Sequence, residues 1–152
     1  CDFSYRHSFF KDHPEWIIMD VDIDLTDTAQ KKSEIVIQET IAEREKRHLQ
    51  NVCAAGSFFM NPVAPREIQQ LFEKEKGIKS RGGRVPAGWL IEKAGMKGAK
   101  VGGAEASHQH PNYIVNTGGA SSHDVLTLAQ KIKEEVLLRF GVQLEEEAAL
   151  FT

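Results

Sequence analysis

Ser57 stands in the segment Ala54-Ala55-Gly56-Ser57-Phe58-Phe59-Met60-Asn61-Pro62, between a glycine and two phenylalanines and four residues ahead of an Asn-Pro turn. A hydroxyl in that setting is a shaped position. Gly56 lets the backbone bend or admits close approach of a ligand. The aromatics supply apolar walls, and Asn61-Pro62 ends the run. On its own the segment reads first as a strand that stops in a tight turn, so chemistry there depends on what else the chain brings.

Five other features of the chain bear on that question. Lys79, Arg81, Arg84, Lys93, Lys97 and Lys100 face a single acid, Glu92, in their stretch, and Gly82, Gly83, Gly88, Gly95 and Gly98 lie among them. Exposed backbone amides beside cations suit a phosphate-bearing ligand; an ordinary solvated surface accounts for the same pattern equally well. His108-x-His110 sets two imidazoles on one side of an extended segment, but no acid or thiol stands at ligand spacing, so a polar contact from one histidine is expected and a metal site is not. Glu145-Glu146-Glu147 falls in a segment expected to alternate, and a carboxylate turned inward is either paired or functional. Asp20-x-Asp22-x-Asp24 has the spacing of a calcium loop, but Leu25 replaces the required glycine and Lys31 the distal glutamate. Cys53, near Ser57, is expected to be a small core residue.

The elements that position these groups follow from periodicity. Trp16 to Leu25 alternates, with Ile17, Met19, Val21, Ile23 and Leu25 on one face and the three aspartates on the other, which predicts a half-solvated strand. Residues 27–47 are charged and glycine-free and predict a helix, capped by Asp27 with Gln30. A second helix is predicted from Pro65 to Gly77, burying Ile68, Leu71 and Phe72. A short third one holds Trp89, Leu90 and Ile91 as core and stops at Gly95. The last is predicted from a Ser122 cap to Gly141, with Val125, Leu128, Ala129, Ile132, Val136 and Phe140 as its stripe. Strands are predicted at 100–104, 112–116 and 142–151. Helices on a small mixed or antiparallel sheet make an α+β architecture.

Composition sets bounds. The chain has 152 residues, 41% of them hydrophobic, a formal net charge of −3 and two cysteines. That is enough for one real core. It provides no overall positive field for nucleic acid, no disulfide framework and no apolar run of the roughly 20 residues a membrane helix needs. A reducing, cytoplasmic setting is expected. The chain opens on Cys1 within what reads as the middle of a structured region, so it is expected to be the C-terminal part of a longer protein.

Taken in order, these pieces resemble one family, the UDP-N-acetylenolpyruvoylglucosamine reductases. The matching segments are Phe3-Ser4-Tyr5-Arg6-His7-Ser8-Phe9-Phe10-Lys11, then Ala55 to Pro62, then Pro86-Ala87-Gly88-Trp89-Leu90-Ile91-Glu92-Lys93-Ala94-Gly95-Met96-Lys97-Gly98. Val101 to Asn116, the final helix and Phe140-Gly141-Val142-Gln143-Leu144-Glu145-Glu146-Glu147 complete the series. The resemblance implies a bacterial cytoplasmic flavoenzyme of peptidoglycan synthesis. FAD, reduced by NADPH, would serve the reduction of UDP-N-acetylglucosamine enolpyruvate to UDP-N-acetylmuramate. It implies Arg6, Ser57 and Glu147 as catalytic residues, with Ser57 giving a proton to carbon and Arg6 and Glu147 serving the carboxylate. Arg47, Asn61, Lys97, His110 and Asn112 fall at its substrate-contact positions.

The same resemblance divides the chain into residues 1–46, the tail of a flavin-binding domain; 47–140, a complete substrate domain; and 141–152, a strand returning to the first. The missing N-terminal portion would carry the glycine-rich FAD loops, and no nucleic-acid or membrane partner is implied. Leu49 departs from a usual proline, Met60 from a usual basic residue and Glu146 from a common proline. The short connection from Arg6 to Ser57 resembles the branch without an inserted tyrosine loop. A UDP-sugar-binding module of the same fold without catalysis would keep the basic cluster and Asn61, but has no need of Arg6, Ser57 and Glu147.

Overall fold

A computed structural model describes residues 1–27, 29–47 and 53–149, the side chains of 44, 46 and 47 excepted. The chain divides into two compact units, Cys1–Glu43 and Arg44–Thr152.

In the first unit, Ser4 and His7 exchange backbone hydrogen bonds of 3.1 and 3.2 Å across Tyr5-Arg6. Arg6 takes a left-handed φ of 58° to close that turn. Helix α1 (Phe9–Asp12) follows, and the Phe9 ring stacks on His13 at 4.1 Å and meets Trp16 edge-on at 5.8 Å. Helix α2 (Gln30–Arg47) begins three residues after the expected cap, and Gln30 Nε2 donates to Glu34 one turn on at 2.9 Å. Thr28, inside the predicted helix, lies outside the described residues. The strand predicted over 16–25 does not form. Its apolar residues are exposed, Met19 to 94% and Leu25 to 87%, and none of them belongs to a ladder. A strand needs a second strand for its amides and carbonyls, and the described residues of this unit supply none.

The second unit contains β1 (Cys53–Ser57), α3 (Arg66–Lys76), α4 (Ala87–Lys93), β2 (Lys100–Val101), β3 (Ala104–Ala106), β4 (Tyr113–Asn116) and α5 (Ser122–Phe140). The strands form one sheet in the order β1-β4-β3-β2, each neighbouring pair antiparallel. The expected α+β architecture is therefore present, with an antiparallel sheet. Helix α5 packs on β2 and β3 and against α4. Its Leu128, Ala129, Ile132 and Val136 are buried with Leu90 and Ile91 of α4, Ala104 and Ala106 of β3, and Phe58 and Phe59. Glycines stop two helices as expected: Gly77 and Gly141 have φ of 68° and 63° and donate to carbonyls four residues back.

Several expectations are corrected. The strand predicted over 100–104 is two strands, turned back by Gly102-Gly103 so that Lys100 pairs with Glu105 and Val101 with Ala104. Leu71 is exposed, because α3 turns Ile68 and Phe72 inward instead. Cys53 is exposed too, at the solvated start of β1. Of the strand predicted over 142–151, one bridge forms, Phe59 to Glu146, while Val142 and Leu144 are buried in the core; residues 150 and 151 lie outside the described residues.

The cap of α5 is Ser121, not Ser122. Its hydroxyl accepts from the Asp124 amide at 3.1 Å, and the Ser121 amide donates to Asp124 Oδ2 at 2.9 Å. The Ser121 amide, then the Ser121 hydroxyl, hold the Asp124 carboxyl below the ordinary aspartate range. A lowered folded-state pKa means stability that is present above the unfolded value and is lost as pH falls through the folded one. Ser121→Ala is expected to cost about 1 kcal/mol at neutral pH. It should also reduce the acid-side slope of stability, which melting temperatures measured from neutral pH into the acid range will read.

Candidate functional site

Between the ladder of β1 with β4 and the end of β1 lies an irregularity that aims Ser57. Ala54 pairs with Val115 but Ser57 pairs with Tyr113, so three steps along β1 match two along β4. The extra residue reverses the alternation, and Ser57 shares the face of Ala54 instead of the opposite one. Gly56, at φ 91°, makes the bulge, a conformation that L side chains rarely adopt.

Beyond Ser57 the chain is held on both sides. The Phe58 amide donates to the Asn112 carbonyl at 2.8 Å, and the amides of Glu147 and Met60 donate to Phe58 O and Glu145 O at 2.8 and 2.9 Å. The Asn112 side chain brackets Phe59: its Oδ1 accepts from the Phe59 amide at 3.0 Å and its Nδ2 donates to the Phe59 carbonyl at 2.9 Å. Asn61 comes next, and its Oδ1 accepts from the Ala87 amide at 2.9 Å, capping α4 from outside the helix. Pro86 at the N-cap position has no side chain for that task. Arg84 Nη1 donates to the Asn61 carbonyl at 2.8 Å. His110 is brought in by a turn in which the Ser107 hydroxyl accepts from the amides of Gln109 and His110 at 3.1 and 3.2 Å. Its ring lies 4.4 Å from that of Tyr113.

These segments enclose a cleft of about 450 Å³. Ser57, Asn61, His110 and Asn112 line it with a hydroxyl, two amides and an imidazole, and Phe72, Ile78 and Trp89 give it apolar walls. Lys76 and Glu92 add charge of both signs. Such a cleft suits a ligand with a flat apolar part and several hydrogen-bonding oxygens.

Four of the expected site residues thus meet on one cleft. Glu147 is half-buried and is joined to the Ser57 segment through its backbone amide. Lys97 does not line the cleft; its Nζ pairs at 2.7 Å with Glu92, which does. That hydrogen bond holds the Glu92 carboxyl below its ordinary range. Arg6 belongs to the first unit. Arg47 ends α2, and its side chain, like the whole of Leu49, lies outside the described residues.

The stretch that looks poor in acids is not so in three dimensions. Lys93 pairs with Glu75 at 2.7 Å and Lys100 with Glu105 at 2.8 Å, both acids coming from outside the stretch. Lys93, foremost, with help from the Trp89 indole, lowers the Glu75 carboxyl. Sequence reasoning missed Phe72, Lys76, Ile78 and Glu92 as cleft residues. Gly88 lines the cleft as well, beside Asn112 and His110.

Fold and cleft together define a small α+β domain with a polar, aromatic-walled cleft on a bulged strand. Residues 47–151 match the family model described as UDP-N-acetylenolpyruvoylglucosamine reductase, C-terminal domain, and the chain belongs to that family. It is 30% identical over 151 residues to the UDP-N-acetylenolpyruvoylglucosamine reductase of Solibacter usitatus, covering 97% of this chain and 47% of that protein. It is 35% identical over 179 residues to that of Pseudomonas aeruginosa, covering 99% and 53%. The crystal structure of the Thermus caldophilus reductase superposes with a TM-score of 0.54 at 29% identity, over 82% of this chain and 37% of that one. The chain therefore spans about half the length of these relatives, or less.

Proposed function

We propose that this chain is the substrate-handling part of a UDP-N-acetylenolpyruvoylglucosamine reductase, acting on UDP-N-acetylglucosamine enolpyruvate to give UDP-N-acetylmuramate for peptidoglycan in the bacterial cytoplasm. The observation that carries the reading is the single cleft lined by Ser57, Asn61, His110 and Asn112 in a chain of this family. Residues 1–46 would complete a flavin-binding domain with further N-terminal sequence, 47–140 would form the substrate domain, and 141–152 would return toward the flavin domain.

The residues present fit the substrate side of this reaction rather than the flavin's pyrophosphate. The first unit has no glycine between Cys1 and Glu43, so it offers no glycine-rich backbone cradle of the kind that holds a dinucleotide. When bound, FAD reduced by NADPH would supply the hydride that the enolpyruvyl methylene needs. The groups of this chain act on the other carbon and its carboxylate. Ser57 delivers a proton to the carbon beside the carboxylate, which a weak acid can do where the acceptor is strongly basic and water is excluded. Arg6 offers a fixed fork of donors to the carboxylate as it gains enolate charge, and Glu147 hydrogen-bonds the same oxygens. Asn61, His110, Arg47 and Lys97 hold the nucleotide sugar.

The test is turnover by the full-length protein in D2O, with NADPH and the enolpyruvyl nucleotide sugar. The expected product carries deuterium on the carbon beside the carboxylate. Binding of the nucleotide sugar without turnover would replace this reading by that of a UDP-sugar-binding module.

A further inference from the structure

We propose that Asn112 is a positioning residue. Its side chain acts as a surrogate rung that locks the Phe58-Phe59 dipeptide and thereby sets Ser57 relative to Glu147. The inference rests on the reductase reading and goes beyond substrate contact, the role that resemblance gives Asn112.

The ladder of β1 with β4 runs out at Ser57 and Tyr113. One step further, Phe58 still reaches the Asn112 carbonyl. Two steps further, Phe59 would face Pro111, which has no amide hydrogen to give. The Asn112 amide fills that place, accepting from the Phe59 N–H and donating to the Phe59 C=O. On the other side, the Glu147 amide takes the Phe58 carbonyl. All four backbone polar groups of the dipeptide are thus satisfied. Phe59 is 1% exposed and Asn112 4%, so water cannot stand in for a missing partner. The acceptor and the donor must sit side by side at this reach, which an asparagine or a protonated aspartate provides and an aspartate anion does not. Ser57 leads into the dipeptide on one side, and Glu147 is bonded to it on the other. Letting the dipeptide relax therefore changes their separation.

The experiment uses the full-length reductase with Asn112→Ala and Asn112→Asp, assayed for kcat, KM and flavin reduction by NADPH. Asn112→Ala is expected to lower kcat by about 100-fold, the scale of a misplacement near 1 Å. The KM for the nucleotide sugar and the rate of flavin reduction should stay close to the parent's. Asn112→Asp is expected to show the same loss at neutral pH and to regain kcat relative to the parent as pH falls. The protonated carboxyl then donates to Phe59 O and accepts from Phe59 N–H, and burial raises the pH at which this begins. A rise in KM with kcat intact would make Asn112 a substrate contact and overturn the proposal. An unchanged kcat with only a lower melting temperature would reduce it to a structural residue. Should Asn112→Ala fail to fold, absence of acid recovery in Asn112→Asp overturns the proposal on its own. A parent enzyme without turnover would instead overturn the reductase reading, which keeps the two failures apart.

Discussion

Ser57→Ala in the full-length reductase is expected to lower enolpyruvyl reduction by about 10²–10⁴-fold, the contribution of a positioned proton donor, while NADPH reduces the flavin at the parental rate. The substitution removes one oxygen from a half-buried side chain and leaves Gly56 to form the bulge, so fold and melting temperature should be retained. Affinity for the nucleotide sugar should also persist, because the cleft keeps Asn61, His110 and its aromatic walls. The loss should therefore fall in kcat and in the step that follows flavin reduction, which rapid mixing resolves into two half-reactions. If the variant turns over like the parent, the proton comes from elsewhere and Ser57 is a lining residue only. If flavin reduction fails as well, the damage is not confined to the substrate side.

Gly103→Val should have the largest effect on stability. A Cβ at Gly103 would stand 2.5 Å from the Ala120 amide nitrogen and 2.6 Å from the Gly118 carbonyl, distances at which backbone must move. That backbone is already in use. The Gly103 carbonyl accepts from the Thr117 amide at 2.9 Å and the Thr117 hydroxyl at 3.0 Å, and the segment leads directly into the Ser121 cap of α5. Displacing it disturbs the β2–β3 turn and the start of the longest helix of the second unit together. The expected cost is about 3 kcal/mol, with a fall in melting temperature on the order of 10 °C. Gly88→Ala is the control, since its Cβ would meet Asn112 at an ordinary 3.6 Å. It should melt near the parent, and a similar collapse there would remove the steric explanation.

What was legible in the sequence was what local chemistry decides. The stripe of α5 and the glycines that end α3 and α5 are properties of contiguous residues, and they stand where expected. The cap slipped by one residue because Ser121 and Ser122 are equally able. Asp124, three residues after Ser121, is what selects the first. The Gly102-Gly103 pair marks the tight turn between β2 and β3.

What was not legible depends on distant partners. The alternation of 16–25 was plain, but a ladder needs a second strand. The stretch from Lys79 to Lys100 looked unopposed because Glu75 and Glu105 join it only through folding. In the site, the shaped setting of Ser57 was readable, whereas its direction was not, since one extra residue at Gly56 decides it. Asn61, His110 and Asn112 came from resemblance. That the Asn112 amide serves the backbone of Phe59, 53 positions away, has no trace in the local sequence.

The exposed segment from Trp16 to Leu25 has a bearing on how the chain behaves in a crowded solution. Seven apolar residues in ten, all facing solvent, would ordinarily nucleate fibrils by stacking identical copies. Here every second residue from 20 to 24 is an aspartate. An in-register stack would set each aspartate against copies of itself, and like charges directly opposite are destabilising. The segment thus works against stacking with its own kind. Its charge pattern works as a lock on self-assembly.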